Sequence, residues 1–192
     1  MKLALCFLFA LAAAAQTPQL KPRTGASPEA EALQRKLDTI KRNAHPQHTP
    51  VTTALPESEI NAWFASSYAQ LPQGVRTLHL VGQNGQVTAN AKVDFDEITA
   101  GRAGSNPLLA MFRGIHDVEV VATGRADDGQ ATVRVQSVAL DGVVIPPMVL
   151  EFFVERFITP QHPSVGIDSH FTPGYHVDSA RIGEHVLTVV QK

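Results

Sequence analysis

The sequence is nearly without cysteine: one residue, Cys6, in a chain of 192. Without a second cysteine beyond position 6, a disulfide framework, a thiol nucleophile and a cysteine-bound zinc or iron–sulfur centre are all excluded from the body of the chain. Charge of one sign is also missing, with 16 basic against 18 acidic residues and a formal net charge of −2. There is no basic run and no basic stripe interleaved with aromatics, so nucleic acid is not an expected partner. Three motifs are absent as well: the Gly-x-Ser-x-Gly elbow of acyl transfer, the phosphate-binding glycine loop and the dinucleotide fingerprint. No enzyme activity, cofactor or metal is expected on this basis. Tryptophan occurs once, as Trp63.

What is present begins with a leader. Met1 and Lys2 precede an apolar run over residues 3–11 and small residues over 12–15, the pattern of a secretory signal cut near Ala15. The run is shorter than the roughly 17–25 residues that span a bilayer, so no transmembrane segment is expected after cleavage. The expected location is periplasmic or secreted. Residues 16–27, with Pro18, Pro22 and Gly25, read as a flexible tether. Over 28–44, Ala30, Leu33, Leu37, Ile40 and Ala44 recur at steps of three and four, an amphipathic helix with Ser27 as its cap. Its narrow stripe of Leu33, Leu37 and Ile40 is a candidate surface for a protein partner.

Residues 51–192 read as a single α+β domain. After a short extended piece at 51–55, a helix is expected from Pro56 or Glu57 to about Ala69. Two long hairpins follow, 75–81 with 86–98 about Asn84-Gly85, and 116–126 with 130–140 about Asp127-Asp128-Gly129. In the first hairpin Val87, Ala89, Ala91, Val93 and Phe95 occupy every second position, giving one apolar face. On the return limb of the second, Ala131, Val133, Val135 and Ala139 are assigned one face. A short helix is expected over 105–112, an irregular loop over 162–173, and a last hairpin over 175–182 and 185–190. Strands as long as those of the second hairpin twist and curl, and a curled sheet can wrap a helix.

That helix is the bulkiest apolar stretch in the chain. It is expected over 147–159, started by the Pro146-Pro147 pair and stopped at Thr159-Pro160, with Val149, Leu150, Phe153, Val154 and Phe157 on one side. Glu151 and Glu155 mark the side that faces water. The small residues Ala89 and Ala91 leave space on the sheet, which suits either a closely packed helix or a ligand. The candidate binding groove therefore comprises Trp63, Phe64, Ala89, Ala91, Val93, Val120, Val149, Phe152, Phe153 and Phe157.

Polar clusters offer a competing reading. Asp168, His170, His176 and Asp178 are possible ligands of a divalent cation or members of a hydrolytic site, if the loop brings them together. Asp94, Asp96 and Glu97 lack the dense oxygen-ligand loop of a calcium site. Solvated surface explains each cluster more simply.

The segment Leu-Pro-Glu-Ser-Glu-Ile-Asn-Ala-Trp-Phe (55–64), the two long hairpins, the Asp-Gly-Val-Val-Ile-Pro-Pro link and the phenylalanine-rich helix together resemble, in layout, small periplasmic proteins of the TULIP (BPI-like) type. The resemblance implies a long curved antiparallel sheet around a helix and an apolar groove for lipid. It assigns no individual ligand residue. Two functions follow as expectations: an exported protein holding a lipid or other apolar ligand between helix 147–159 and the sheet, or a non-catalytic scaffold of an envelope assembly with a dry core. A continuous apolar channel of at least about 300 Å³ favours the first, and tight packing the second.

Overall fold

The computed structural model describes residues 26–43, 49–99, 112–159 and 166–192. The leader, most of the tether, the helix expected to lead into Phe112, and the segment 160–165 lie outside them. Along the described chain the elements are α1 (Pro28–Arg42), β1 (Val51–Pro56), α2 (Glu57–Ala65), β2 (Val75–Gln83), β3 (Gln86–Asp94), α3 (Phe95–Thr99), β4 (Ile115–Asp127) and β5 (Gln130–Leu140). They continue as β6 (Val143–Val144), α4 (Pro147–Phe153) with a π-helical turn (Val154–Ile158), β7 (Asp168–Phe171), β8 (Val177–Ile182) and β9 (Val186–Gln191). The class is α+β, with a large antiparallel sheet and few helices, as expected.

Local chemistry sets the hairpins. Asn84-Gly85, Asp128-Gly129 and Asp141-Gly142 each place two successive residues at positive φ, 41° and 87°, 49° and 70°, and 48° and 80°. Asn, Asp and Gly tolerate that conformation, and its twist matches that of the strands it joins. The 13-residue β4 is the spine of the sheet. One edge pairs with β3 from Ile115 to Thr123 and then, past the end of β3, with β8 at Arg125 and Ala126. The other edge pairs with β5, whose far side carries β6 and β7. Beyond β8 come β9 and β1.

Between Ala122↔Val135 and Val121↔Ser137 the β4–β5 register shifts, leaving Gln136 without an opposite residue. One extra residue reverses the parity of the strand. Val138 and Leu140, opposite Val120 and Val118, thereby join Val133 and Val135 on the same face, and Ala139 moves to the other, opposite Glu119. Simple alternation had placed Ala139 with Val133 and Val135. Three other boundaries differ from expectation, the first being α2, which ends at Ala65 with Ser66 as its C-cap instead of running to about Ala69. Phe95 and the two residues after it start a helix instead of extending β3, and Asp168–Phe171 is a strand against β5 instead of part of an irregular loop.

Helices cover one face of the sheet in two places. At one end α1 and α2 cover a cluster that includes Leu33, Leu37, Leu55, Ile60, Phe64, Leu80, Val133 and Leu187. Ser27 caps α1 by accepting from the Ala30 N–H at 3.3 Å, and at its far end the buried Gln191 amide donates to the Ile40 carbonyl at 2.9 Å. Leu33 is 0% exposed, and Leu37 and Ile40 are also buried. The stripe expected to meet a protein partner is thus consumed by the chain's own core. The other end of the face is covered by α4, Phe95 and Phe112, over Val93, Val138, Leu140 and Ile145.

Candidate functional site: an apolar cavity beneath α4

Between the two clusters and under α4 lies a cavity of about 150 Å³. The sheet supplies its floor through Leu78, Ala89, Ala91, Val93, Val118 and Val120, continued on β5 by Val135, Val138 and Leu140. Its roof is Ile145, Leu150, Phe153 and Val154, and Phe95, Ile98 and Phe112 stand at one end. No ionisable side chain lines it among the described residues. Register explains the assembly: Leu78 faces Ala91, and Ala91 faces Val118, so floor residues fall into rows across three strands. Methyl side chains at Ala89 and Ala91 leave the middle of those rows shallow, and the rings above do not fill the gap.

The roof is held by an aromatic triangle. Phe112 stacks on Phe153 with ring centres 4.3 Å apart, and Phe95 meets Phe112 at 5.3 Å and Phe153 edge-on at 5.6 Å. Pro146 starts α4 by accepting from the Val149 and Leu150 amides. After Phe153 the backbone widens, and the Thr159 N–H bonds the Val154 carbonyl five residues back at 2.9 Å. Gly74 ties down the α3 side. A Cβ there would lie 2.6 Å from the Asp94 carbonyl oxygen, and its φ of 84° also calls for glycine.

Of the expected groove residues, Ala89, Ala91, Val93, Val120 and Phe153 line the cavity together. Val149 packs against the same cluster without lining the space. Phe152 does not belong: it is 37% exposed where Phe153 is 5%, because α4 turns it away from the sheet. Trp63 and Phe64 also do not belong. They pack edge to face at 5.4 Å in the cluster beneath α1, where the Trp63 indole N–H donates to Gln34 at 2.8 Å. The side chain of Phe157 lies outside the described residues. Sequence reasoning missed Phe95, Phe112, Val135, Val138 and Leu140 as neighbours. The alternation of β3 pointed to Ala89, Ala91 and Val93 on the floor, whereas nothing local signalled the bulge at Gln136 or the meeting of phenylalanines from three separate elements.

The polar clusters are dispersed into ordinary pairs. Asp168 binds Arg134 at 2.8 Å, His170 meets the Thr132 hydroxyl at 3.3 Å, and Asp178 pairs with Lys192 at 2.9 Å. Asp94 and Glu97 share Arg76. Hydrogen bonding to Arg76 holds the Asp94 carboxyl below its ordinary range. Among the described residues no group of His, Cys, Asp and Glu is placed to hold a metal ion. No helix among them is long and apolar enough to cross a membrane. No family model, curated protein or solved structure matches the chain.

Proposed function

We propose that this is an exported binding protein whose cavity beneath α4 holds the end of a lipid chain or another small apolar guest. The observation that carries the reading is a partly open space of about 150 Å³ bounded by aliphatic and aromatic side chains and roofed by a short helix. An enclosed apolar cavity of that size accepts a molecule such as benzene, and a partly open one also offers a path of entry. It is half the roughly 300 Å³ at which sites for whole drug-sized ligands begin, so a complete lipid does not fit. What fits is a ring or the last few carbons of a chain, with the remainder of the molecule outside. Each buried methylene contributes about 0.8 kcal/mol, and a guest so held binds weakly and without fine selectivity. Export rests on the leader pattern of residues 1–15. The layout likeness to TULIP-type modules agrees with the reading, although α4 has only seven residues and its π-helical turn five.

Leu33, Leu37 and Ile40 are buried in the chain's own core, so that stripe does not support a scaffold role. Solvent extraction of natively purified protein, followed by mass spectrometry, tests the binding reading. Substoichiometric recovery of a mixture of chain-bearing molecules is expected, together with uptake of benzene or a medium-chain fatty acid when these are added. Protein that is empty, and that takes up neither benzene nor a medium-chain fatty acid when these are added, would sink it.

A further inference from the structure

His116 is the second residue of β4, on the cavity face of the sheet opposite Val93, with its ring 5.9 Å from that of Phe95. Its Nδ1 lies 2.6 Å from an Asp141 carboxylate oxygen and its Nε2 2.6 Å from the Arg113 carbonyl oxygen. Both partners only accept hydrogen bonds. A neutral imidazole carries one N–H and satisfies one of them, whereas the imidazolium carries two and satisfies both.

Each of the two acceptors adjoins a residue that lines the cavity, Phe112 for Arg113 and Leu140 for Asp141. Arg113 directly follows Phe112, the ring stacked on Phe153, and the next carbonyl, of Gly114, accepts from the Phe95 N–H at 2.9 Å. Asp141 opens the left-handed turn into β6 and α4, and its other carboxylate oxygen accepts from the Asp117 N–H at 2.9 Å. The charged groups around the ring favour its proton. Asp141 touches it, Asp96 of α3 acts at longer range, and Asp117 is paired with Lys92 of β3 at 2.7 Å. From β3 and α3, Asp94 and Glu97 are held by Arg76.

We propose that His116 is a pH-sensitive clasp on the cavity, its doubly protonated ring holding Phe112 and the Asp141 turn together and its deprotonation releasing one of them. The functional meaning rests on the binding role proposed above. The sign is fixed by the hydrogen bond from Asp141, which with the Arg113 carbonyl outweighs partial burial and raises His116 above its ordinary 6.5. The clasp is therefore closed below 6.5 and loosens as pH rises through the raised value. A guest is retained in mildly acidic surroundings and exchanges faster in alkaline ones.

The test follows the ring nitrogens of His116 by NMR in the full-length, guest-free protein. Hydrogen-exchange protection of the Phe95, Asp117 and Asp141 amides is measured against pH, with β8–β9 amides as reference. We expect a ring midpoint above 6.5 and a loss of relative protection as pH rises across it. His116→Gln should abolish the pH dependence. Asp141→Asn, a second variant should the first not fold, should move the midpoint down. A midpoint at or below 6.5, flat relative protection across it, or an unchanged pH dependence in the variants would overturn the clasp. Failure of benzene to bind at every pH would instead count against the cavity's binding role, with the clasp still judged by exchange.

Discussion

The two ends of the sheet's covered face use the same strands and reach different degrees of packing. Beneath α1 and α2, side chains from nine elements interlock, and the small residues Ala126, Ala131 and Ala180 sit where strands converge, each 0–1% exposed. Beneath α4, the small residues Ala89 and Ala91 sit in the middle of a strand whose neighbours face a roof of modest width, and about 150 Å³ stays open. Alanine thus has opposite meanings at the two ends. At the first it permits close approach of backbones, and at the second it leaves room.

The largest effect that probes this contrast is Phe153→Ala, which removes one corner of the aromatic triangle and should cost about 3–5 kcal/mol in urea unfolding. A loss below about 1 kcal/mol would mean that the roof contributes little to the fold. Next comes a matched pair of enlargements. Ala126→Leu should cost about 1–3 kcal/mol or more by overpacking, whereas Ala91→Leu fills existing space and should change stability by less than about 1 kcal/mol while abolishing uptake of benzene. Equal costs at the two sites would erase the distinction drawn between them.

The two ends should also differ in their response to pH. Burial raises the Glu57 carboxyl, but the Gly82 N–H at 2.8 Å and His185 at 3.0 Å outweigh it and leave the value below the ordinary 4.5. Its contribution is present above 4.5 and is lost as pH falls through the lowered value, so the α2 end weakens in acid. His116 has the opposite sign, and the α4 end weakens as pH rises through its raised value. Glu57→Gln should shrink the acid limb of a stability–pH curve without abolishing it, because the lowered carboxyls of Asp94 and Asp141 also lose their contribution in acid, and should leave the alkaline limb unchanged. The smallest expected effect belongs to Met148→Ser with Phe152→Ser on the outer side of α4, where Met148 is 79% exposed. Stability should change by no more than about 0.5 kcal/mol per site, and benzene uptake should not change.

Much of this architecture was legible where the signal was local. Asn84-Gly85 and Asp128-Gly129 announced their turns, the three-and-four spacing of Leu33, Leu37 and Ile40 announced α1, and alternation placed Ala89, Ala91 and Val93 on one face. Properties that depend on more than one element were hidden. Period and polarity show that Leu33 is apolar, not whether the protein or a partner covers it. The parity reversal at Gln136 depends on which β4 residues β5 pairs with, and it decided whether Val138 or Ala139 faces the cavity. Phe152 and Phe153 are indistinguishable by composition, and only the direction of α4 over the sheet separates the exposed ring from the buried one.

The central claim is that the space beneath α4 receives an apolar chain end. Decanoate carrying a ¹³C-labelled terminal methyl can be titrated into the natively purified protein and followed by NMR. The account predicts saturable binding, contacts from the terminal methyl to Val93, Val138, Leu150 and Phe153, and loss of both in Ala91→Leu. Absence of saturable binding, or identical contacts in wild type and Ala91→Leu, would contradict it.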